Sequence, residues 1–274
     1  MALNKIKDKC RGSLVGGAIG DALGYPVEFV YSFREIQAKY GERGITEYDK
    51  SYPWLDDSLR HYKALFSDDT QMTLYTAEGL LEAERSGRLI VPTICNAYLA
   101  WYGYQVSKKV RISYDSELSK IDELNQRRAP GNTCLSALLS IYNGKGPMNS
   151  SKGCGGIMRV APIGLYGASH GWSLQKTAKL AGEVAELTHL HPLSTYSSAA
   201  LAVFVQLCVS AEDSIDKVAF NGIVEKSLEV VSGGYGADAG NIIGAIIGYE
   251  SIPDKFTKSI QLKDLLITTA DALS

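Results

Sequence analysis

The chain has 274 residues, of which 45% are hydrophobic, and a formal net charge of −2. This length is enough for one sizeable core, and the near-neutral charge argues against a general nucleic-acid binder, which needs a basic surface to hold phosphates. Five widely spaced cysteines without a CxxC pair favour neither a disulfide scaffold nor a zinc knuckle, and no apolar run reaches the roughly 20 residues that span a bilayer. We therefore expect one cytoplasmic domain over residues 1–274 that does not enter a membrane.

The first informative stretch is "GGAIGDALGYPVEF", residues 16–29. Its small residues let two backbones approach closely, so tight helix packing accounts for most of it. Asp21 and Glu28 are the exceptions, because a carboxylate among small apolar residues is costly unless it is paired or bound to something. We expect one of the two to face a site.

The next stretch, "FSDDTQMTL" at residues 66–74, begins a predicted helix that runs from about 68 to 85, with Gly87 as its C-terminal cap. Ser67, Asp68 and Asp69 have two interpretations. Side-chain oxygens at this point cap a helix and complement its dipole. Two adjacent acids flanked by hydroxyls exceed what a cap needs, and such oxygen-rich clusters suit a hard cation such as Mg²⁺.

Helical spacing of apolar residues returns at 174–181 and at 199–207, and few strand candidates appear anywhere. The prediction is an all-α fold whose site is built from loops and helix starts. One connecting loop, "RRAPGN" at residues 127–132, is basic and could help to select an anionic ligand together with Lys152.

Glycine-rich "NSSKGCGGIMRVAPIGL", residues 149–165, offers backbone N–H groups that could cradle a phosphate, although it matches neither a Walker A loop nor GxGxxG. Cys154 within it is either a thiol nucleophile or a small packed thiol. Further on, "ELTHLHPLS" holds His189 and His191 two residues apart. We favour a hydrogen bond from one of them to a ligand over metal ligation.

Taken together, the stretches resemble the ADP-ribosylglycohydrolase family, which includes proteins similar to dinitrogenase-reductase-activating glycohydrolase. The resemblance is carried, in order, by "GAIGDALGYPVEF", "SDDTQMTLYTAEGLL", "RRAPGNTCLSAL", "SKGCGGIMRVAPIGL" and "ELTHLHP". It implies an orthogonal all-α helical bundle that binds two Mg²⁺ ions, sometimes replaced by Mn²⁺, and that hydrolyses the bond between ADP-ribose and an acceptor. For this chain we expect one or two such ions.

The resemblance also implies roles for single residues. Glu28 matches the family's catalytic glutamate, and Ser67, Asp68 and Asp69 match its N-terminal metal ligands. His189 matches the histidine of a Thr-His pair near the ligand. The loop that holds the diphosphate corresponds to Ser151, Lys152, Gly153, Cys154, Gly155 and Gly156. The expected partners are ADP-ribose or an ADP-ribosylated protein.

The sequence departs from the family near its C-terminus. A Gly-rich segment is present as "GNIIGAIIGYESIP", residues 240–253, but the preceding stretch is shortened and reads "VSGGYGADAG" where the family has Asp-x-Asp. Asp238 is the one acid left there, and lost carboxylates should weaken a cation site. Two functions therefore stay open: a metal-dependent hydrolase that reverses ADP-ribosylation, and a weakly catalytic or non-catalytic binder of ADP-ribose or an NAD-derived nucleotide, or antagonist of an ADP-ribosylating partner.

Overall fold

A computed structural model of the chain describes residues 2–49, 64–107, 110, 112, 114–211, 215–231, 249–251 and 254–274. The regular secondary structure of these residues is helical, and an isolated bridge joins Ala64 to Ile260. The predicted all-α fold is thus confirmed. Asp238 and most of the Gly-rich segment lie outside the described residues.

The helices differ widely in length. In chain order they are α1 (Ala2–Gly24), α2 (Phe33–Tyr40), α3 (Asp68–Ser86), α4 (Ile90–Gln105), α5 (Asn132–Tyr142), α6 (Ala161–Ser169), α7 (Leu174–Glu186), α8 (Pro192–Ser210), α9 (Lys217–Val231), α10 (Asp254–Thr257) and α11 (Lys263–Leu273), with 3₁₀ turns at Tyr25–Val27, Leu118–Lys120 and Tyr249–Ser251.

Two helices form the centre of the fold. Helix α3 packs on α4 and α6, and α8 packs on α6, α7 and α9, while α1 lies against α11. Pro192–Ser210 is long and apolar enough to cross a bilayer, but 67% of its apolar window is buried inside the protein, as expected for a core helix. Both central helices are buried on more than one face, because other helices cover them.

The bounds of α3 follow from local chemistry. Ser67 precedes the helix in extended conformation, and its side chain accepts a hydrogen bond from the backbone N–H of Asp69. At the other end Gly87 adopts a left-handed conformation with φ of 65°, which glycine reaches without steric cost. The predicted helix and its glycine cap are confirmed.

Close approach of α6 and α8 depends on Gly164. A Cβ atom at this position would lie 2.3 Å from the carbonyl oxygen of Ala202 and 3.0 Å from the Cβ of Val205. The first of these contacts is with backbone inside a helix, so the helices would have to separate to admit a methyl group.

Gly164→Ala is therefore expected to lower the free energy of unfolding by about 3 kcal/mol, through overpacking. Gly222 in α9 provides the matched control, since a Cβ there would meet no atom of the described residues within 4 Å. Gly222→Ala should raise the free energy of unfolding by about 0.5–1 kcal/mol, because Ala is the better helix former. Urea denaturation of both variants measures the two changes in the free energy of unfolding. Equal stabilities of the two variants would contradict the packing argument.

Candidate active site

A cavity of about 360 Å³ opens beside the C-terminal half of α1 and the first turn of α3. Its walls come from three segments that are far apart in the chain: α1 with the turn after it, the start of α3, and the loop before α6. The polar residues that line it are Asp21, Tyr25, Glu28, Ser67, Asp69, Thr70, Thr73 and Cys154. A Cβ at Gly24, also in the wall, would meet no atom within 4 Å, so this glycine leaves space open instead of packing tightly.

Asp21 on α1 caps the start of α3. Its carboxylate accepts hydrogen bonds from the backbone N–H of Ser67 at 2.9 and 3.0 Å, from the backbone N–H of Thr70 at 3.0 Å and from Thr70 Oγ1 at 2.6 Å. The N–H groups at a helix start have no partner within the helix and attract negative charge. Asp21 therefore ties α1 to the turn that carries the acidic pair.

The acidic pair divides its contacts between two sides of the turn. Asp68 is buried, its Oδ2 accepts a hydrogen bond of 3.2 Å from the backbone N–H of Gly131, and its own N–H donates to the carbonyl of Arg128 at 2.9 Å. Asp69 is half-buried and lines the cavity. The two carboxylates are thus fixed at adjacent positions, one behind the cavity wall and one in it.

Burial raises the pKa of three carboxyl groups at this place, and repulsion by neighbouring carboxylates adds to the effect for two of them, Asp68 and Glu28. Burial raises the pKa of Asp68 to about 8, and the charges of Asp21 and Glu28 add to it. Glu28 is largely exposed, yet partial desolvation and then the charge of Asp21 raise its pKa to about 7. Burial likewise raises the pKa of Asp21, against the lowering effect of its hydrogen bonds. Carboxylates that repel one another in this way favour a bound cation or a shared proton.

The chemistry of these groups fits Mg²⁺ or Mn²⁺ on one side of the cavity. The available donors are oxygen atoms, which hard divalent ions prefer, and they come from Ser67, Asp68 and Asp69. Within the described ranges no three His, Cys, Asp or Glu side chains are arranged to hold an ion together. Ser67, Asp68 and Asp69 would therefore provide only part of the coordination shell of such an ion.

The loop at 149–156 is anchored to the end of α7. Asn149 joins the two, since its amide donates to the carbonyl of Thr188 at 2.9 Å while its Oδ1 accepts from the N–H groups of Ser151 and Leu190. Ser151 Oγ in turn accepts from the N–H of Gly153 at 3.3 Å. The side chains of Asn149 and Ser151 therefore hold the 149–156 loop in place beside the cavity.

Two glycines of this loop are required by packing. A Cβ on Gly155 would lie 2.6 Å from Cε1 of His189, and a Cβ on Gly156 would lie 2.3 Å from Oγ of Ser194. Lys152, by contrast, is exposed. The glycine spacing thus has a steric cause that is independent of any phosphate.

Cys154 lines the cavity with an exposed side chain. Desolvation, followed by the negative charge of Asp69, raises the pKa of its thiol. A raised pKa keeps the sulfur protonated, whereas a nucleophilic cysteine needs the thiolate. The raised pKa therefore argues against a thiolate nucleophile, and the exposed side chain does not fit the packed-thiol interpretation either.

The two histidines of the HxH stretch act separately. His189 is buried and its Nδ1 lies 2.9 Å from Oγ1 of Thr188. His191 instead caps α8, where its Nδ1 accepts a hydrogen bond of 3.0 Å from the N–H of Leu193. A helix-capping role for His191 argues against a zinc site formed by the pair.

The basic loop is directed into the protein. Arg128 is fully buried, and its guanidinium donates to the carbonyl of Phe66 at 2.9 Å and to the side chain of Gln261 at 2.8 Å. Arg127 donates to the carbonyl of Gln105. These guanidinium groups hold the polypeptide around the cavity, and the expectation that this loop selects an anionic ligand finds no support in their contacts.

The structure therefore brings some predicted residues together and adds others. Glu28, Ser67, Asp69 and Cys154 share one cavity, with Asp68 directly behind the wall. Ser151, Gly153, Gly155 and His189 form an adjoining cluster. The sequence marked Asp21 as a charge in need of a partner but did not identify that partner. It gave no role to Arg159, although a charged residue within an apolar run indicates a buried charge.

Comparison with known proteins identifies the family to which the chain belongs. A family model described as ADP-ribosylglycohydrolase matches residues 2–233. The chain is similar to the ADP-ribosyl-[dinitrogen reductase] glycohydrolase of Rhodospirillum rubrum, with 29% identity over 195 residues, which are 69% of this chain and 54% of that protein. It is also similar to an uncharacterized protein of Archaeoglobus fulgidus, with 27% identity over 226 residues, 78% of this chain and 61% of that protein.

The chain thus spans less than two thirds of the length of these curated relatives. A solved structure named an ADP-ribosylglycohydrolase-related protein complex shares the fold, with a TM-score of 0.62, 18% identity and coverage of 98% of both chains.

Proposed function

Because the chain belongs to the ADP-ribosylglycohydrolase family, we propose that it is a metal-dependent hydrolase that cleaves the glycosidic bond between ADP-ribose and an acceptor. One observation carries the proposal: Glu28 and the acidic start of α3 line the same cavity. The expected substrate is an ADP-ribosylated protein, and the expected product is free ADP-ribose.

Glycoside cleavage passes through an oxocarbenium-like state and needs an activated water and a protonated leaving group. Glu28 is the cavity residue suited to moving that proton, since its carboxyl group is accessible and has a pKa of about 7. Ser67, Asp68 and Asp69 would hold the metal, and Asp21 keeps their turn in place through its hydrogen bonds. When bound, Mg²⁺ or Mn²⁺ supplies positive charge that orients the ribose hydroxyls and lowers the pKa of a water.

The direct test is release of ADP-ribose from a mono-ADP-ribosylated protein, measured by chromatography with Mg²⁺ and with EDTA. We expect release with Mg²⁺ and none with EDTA. Absence of release with Mg²⁺, under conditions in which a related glycohydrolase is active, would refute the proposal.

Metal binding is a separate prediction. The chain should bind Mn²⁺, with competition by Mg²⁺, and Asp69→Asn should weaken the affinity at least about tenfold, because oxygen sites depend on ligand charge. Asp122→Asn is the matched control, since Asp122 is exposed and is not among the residues of the cavity. Electron paramagnetic resonance of free Mn²⁺ measures both, and equal affinities of the two variants would contradict the assignment of Asp69.

A second candidate is a protein that binds ADP-ribose in this cavity without turnover. The observation that favours it is the replacement of Asp-x-Asp by "GADAG" around Asp238. Calorimetry with ADP-ribose separates the two: affinity that is unchanged by EDTA and by Asp68→Ala supports the binder, whereas loss of metal and turnover together supports the hydrolase.

A further inference from the structure

Arg159 is a buried cation held by neutral groups. Its side chain is fully buried, its guanidinium lies 4.5 Å from the centroid of the Tyr98 ring, and Nη2 donates to the carbonyl of Val184 at 3.2 Å and to Thr188 Oγ1 at 2.6 Å. Among the residues that the structure describes, no carboxylate forms an ion pair with it. Burial of a charge without an opposite charge is costly, so this arginine calls for an explanation beyond stability.

The bond to Thr188 sets the direction of the next hydrogen bond. A guanidinium can only donate, so the hydroxyl oxygen of Thr188 is the acceptor in this pair. Its single proton is then available to His189 Nδ1, which lies 2.9 Å away. The opposite arrangement, with Nδ1 protonated, would send the proton of Thr188 towards the sulfur of Cys134, a weaker acceptor than an imidazole nitrogen.

The other edge of the imidazole faces the glycine loop. A Cβ on Gly153 would lie 3.4 Å from Nε2 of His189, and a Cβ on Gly155 would lie 3.1 Å from it. No hydrogen bond between described residues uses Nε2. Burial and then the charge of Arg159 lower the pKa of His189 to about 4, which keeps the ring neutral near pH 7. A neutral ring that accepts at Nδ1 carries its proton on Nε2.

We propose that Arg159 is a positioning residue that acts through Thr188 to fix His189 in the tautomer with the proton on Nε2, where this N–H is presented to an anionic oxygen of a ligand bound at the 153–156 loop. The identity of that ligand as the diphosphate of ADP-ribose rests on the proposed function. The direction of the hydrogen-bond chain does not rest on the proposed function, because it follows from the contacts of Arg159, Thr188, His189 and Cys134.

Imidazole tautomers give separate signals in two-bond ¹H–¹⁵N spectra, which test the chain of hydrogen bonds without any ligand. His189→Gln assigns the signal of His189 among the four histidines of the chain. His191 is an internal reference for the same tautomer, because its Nδ1 accepts a hydrogen bond of 3.0 Å from the N–H of Leu193. At pH 8 we expect His189 to be protonated on Nε2 in the unmodified chain and in Thr188→Ser, which keeps the hydroxyl.

Thr188→Val removes the hydroxyl at nearly constant volume and should produce a mixture of tautomers. Arg159→Met should also produce a mixture of tautomers. If Arg159→Met fails to fold, Thr188→Val still tests the hydrogen bond to His189. Calorimetry with ADP-ribose should show affinity about tenfold weaker for Thr188→Val, the effect of one well-aligned hydrogen bond, and near-normal affinity for Thr188→Ser.

Protonation of His189 on Nδ1 in the unmodified chain would overturn the inference, as would an unchanged tautomer in Thr188→Val. The spectra decide this without ADP-ribose. A chain that shows the expected tautomer but does not bind ADP-ribose therefore supports the hydrogen-bond chain and counts against the proposed function.

Discussion

Glu28→Gln is expected to slow the release of ADP-ribose from an ADP-ribosylated protein by about 10²- to 10⁴-fold, the usual contribution of a general acid or base. Glutamine keeps the size of the side chain but cannot exchange the proton that bond cleavage requires. Because the raised pKa of Glu28 shows that its anion is disfavoured in the folded chain, the neutral glutamine should not lower the free energy of unfolding at pH 7. Initial rates at saturating substrate and Mg²⁺ measure the effect.

Glu35→Gln is the matched control, since Glu35 is an exposed acid on α2 seven residues further along. It should retain the normal rate, and a Glu28→Gln variant with a comparable rate would remove Glu28 from the reaction. The pH profile of the unmodified chain then identifies the role. A base must be ionised, so the rate would rise with pH through the pKa of Glu28, whereas an acid must be protonated and the rate would fall.

Asp21→Ala is expected to impair stability and activity together. The substitution removes the acceptor of the Ser67 and Thr70 N–H groups and leaves buried donors unsatisfied, which should lower the free energy of unfolding by about 2–4 kcal/mol. It also releases the turn that carries Asp68 and Asp69, so we expect Mn²⁺ affinity to fall at least about tenfold and the rate of ADP-ribose release about 10²-fold. Urea denaturation, Mn²⁺ titration and the release assay measure the three effects.

Ser173→Ala distinguishes this effect from the loss of an ordinary helix cap. Ser173 is exposed and caps α7 by accepting a hydrogen bond of 3.2 Å from the N–H of Lys176. Its loss should lower the free energy of unfolding by about 1 kcal/mol and leave Mn²⁺ affinity unchanged. The effects of Asp21→Asn on stability and Mn²⁺ affinity should lie between those of Asp21→Ala and those of Ser173→Ala, because the amide of asparagine retains one acceptor oxygen. Normal Mn²⁺ affinity in a folded Asp21→Ala variant would show that Asp21 has no influence on the acidic pair.

The helices could largely be predicted from local patterns. The apolar spacing and the caps around residues 68–87 predicted α3 to within one residue, and the segments at 174–181 and 199–207 lie within α7 and α8. Such predictions succeed because propensity, capping and amphipathic spacing act within one or two turns of the chain. The same patterns contain nothing on how α6 meets α8, so the steric requirement at Gly164 was invisible until the two helices were placed side by side.

Residue types and motif order were sufficient to select Glu28, Ser67, Asp68 and Asp69 as one candidate site, and these roles stay predictions for experiment. The sequence likewise marked Asp21 as a charge in need of a partner, but its partners Ser67 and Thr70 lie 46 and 49 residues away at the start of another helix. Arg159 and His189 likewise meet through contacts between distant segments. Local sequence reflects local energetics, whereas the partner of a buried charge depends on which surfaces the folded chain brings together, and that information is present only in the packed helices.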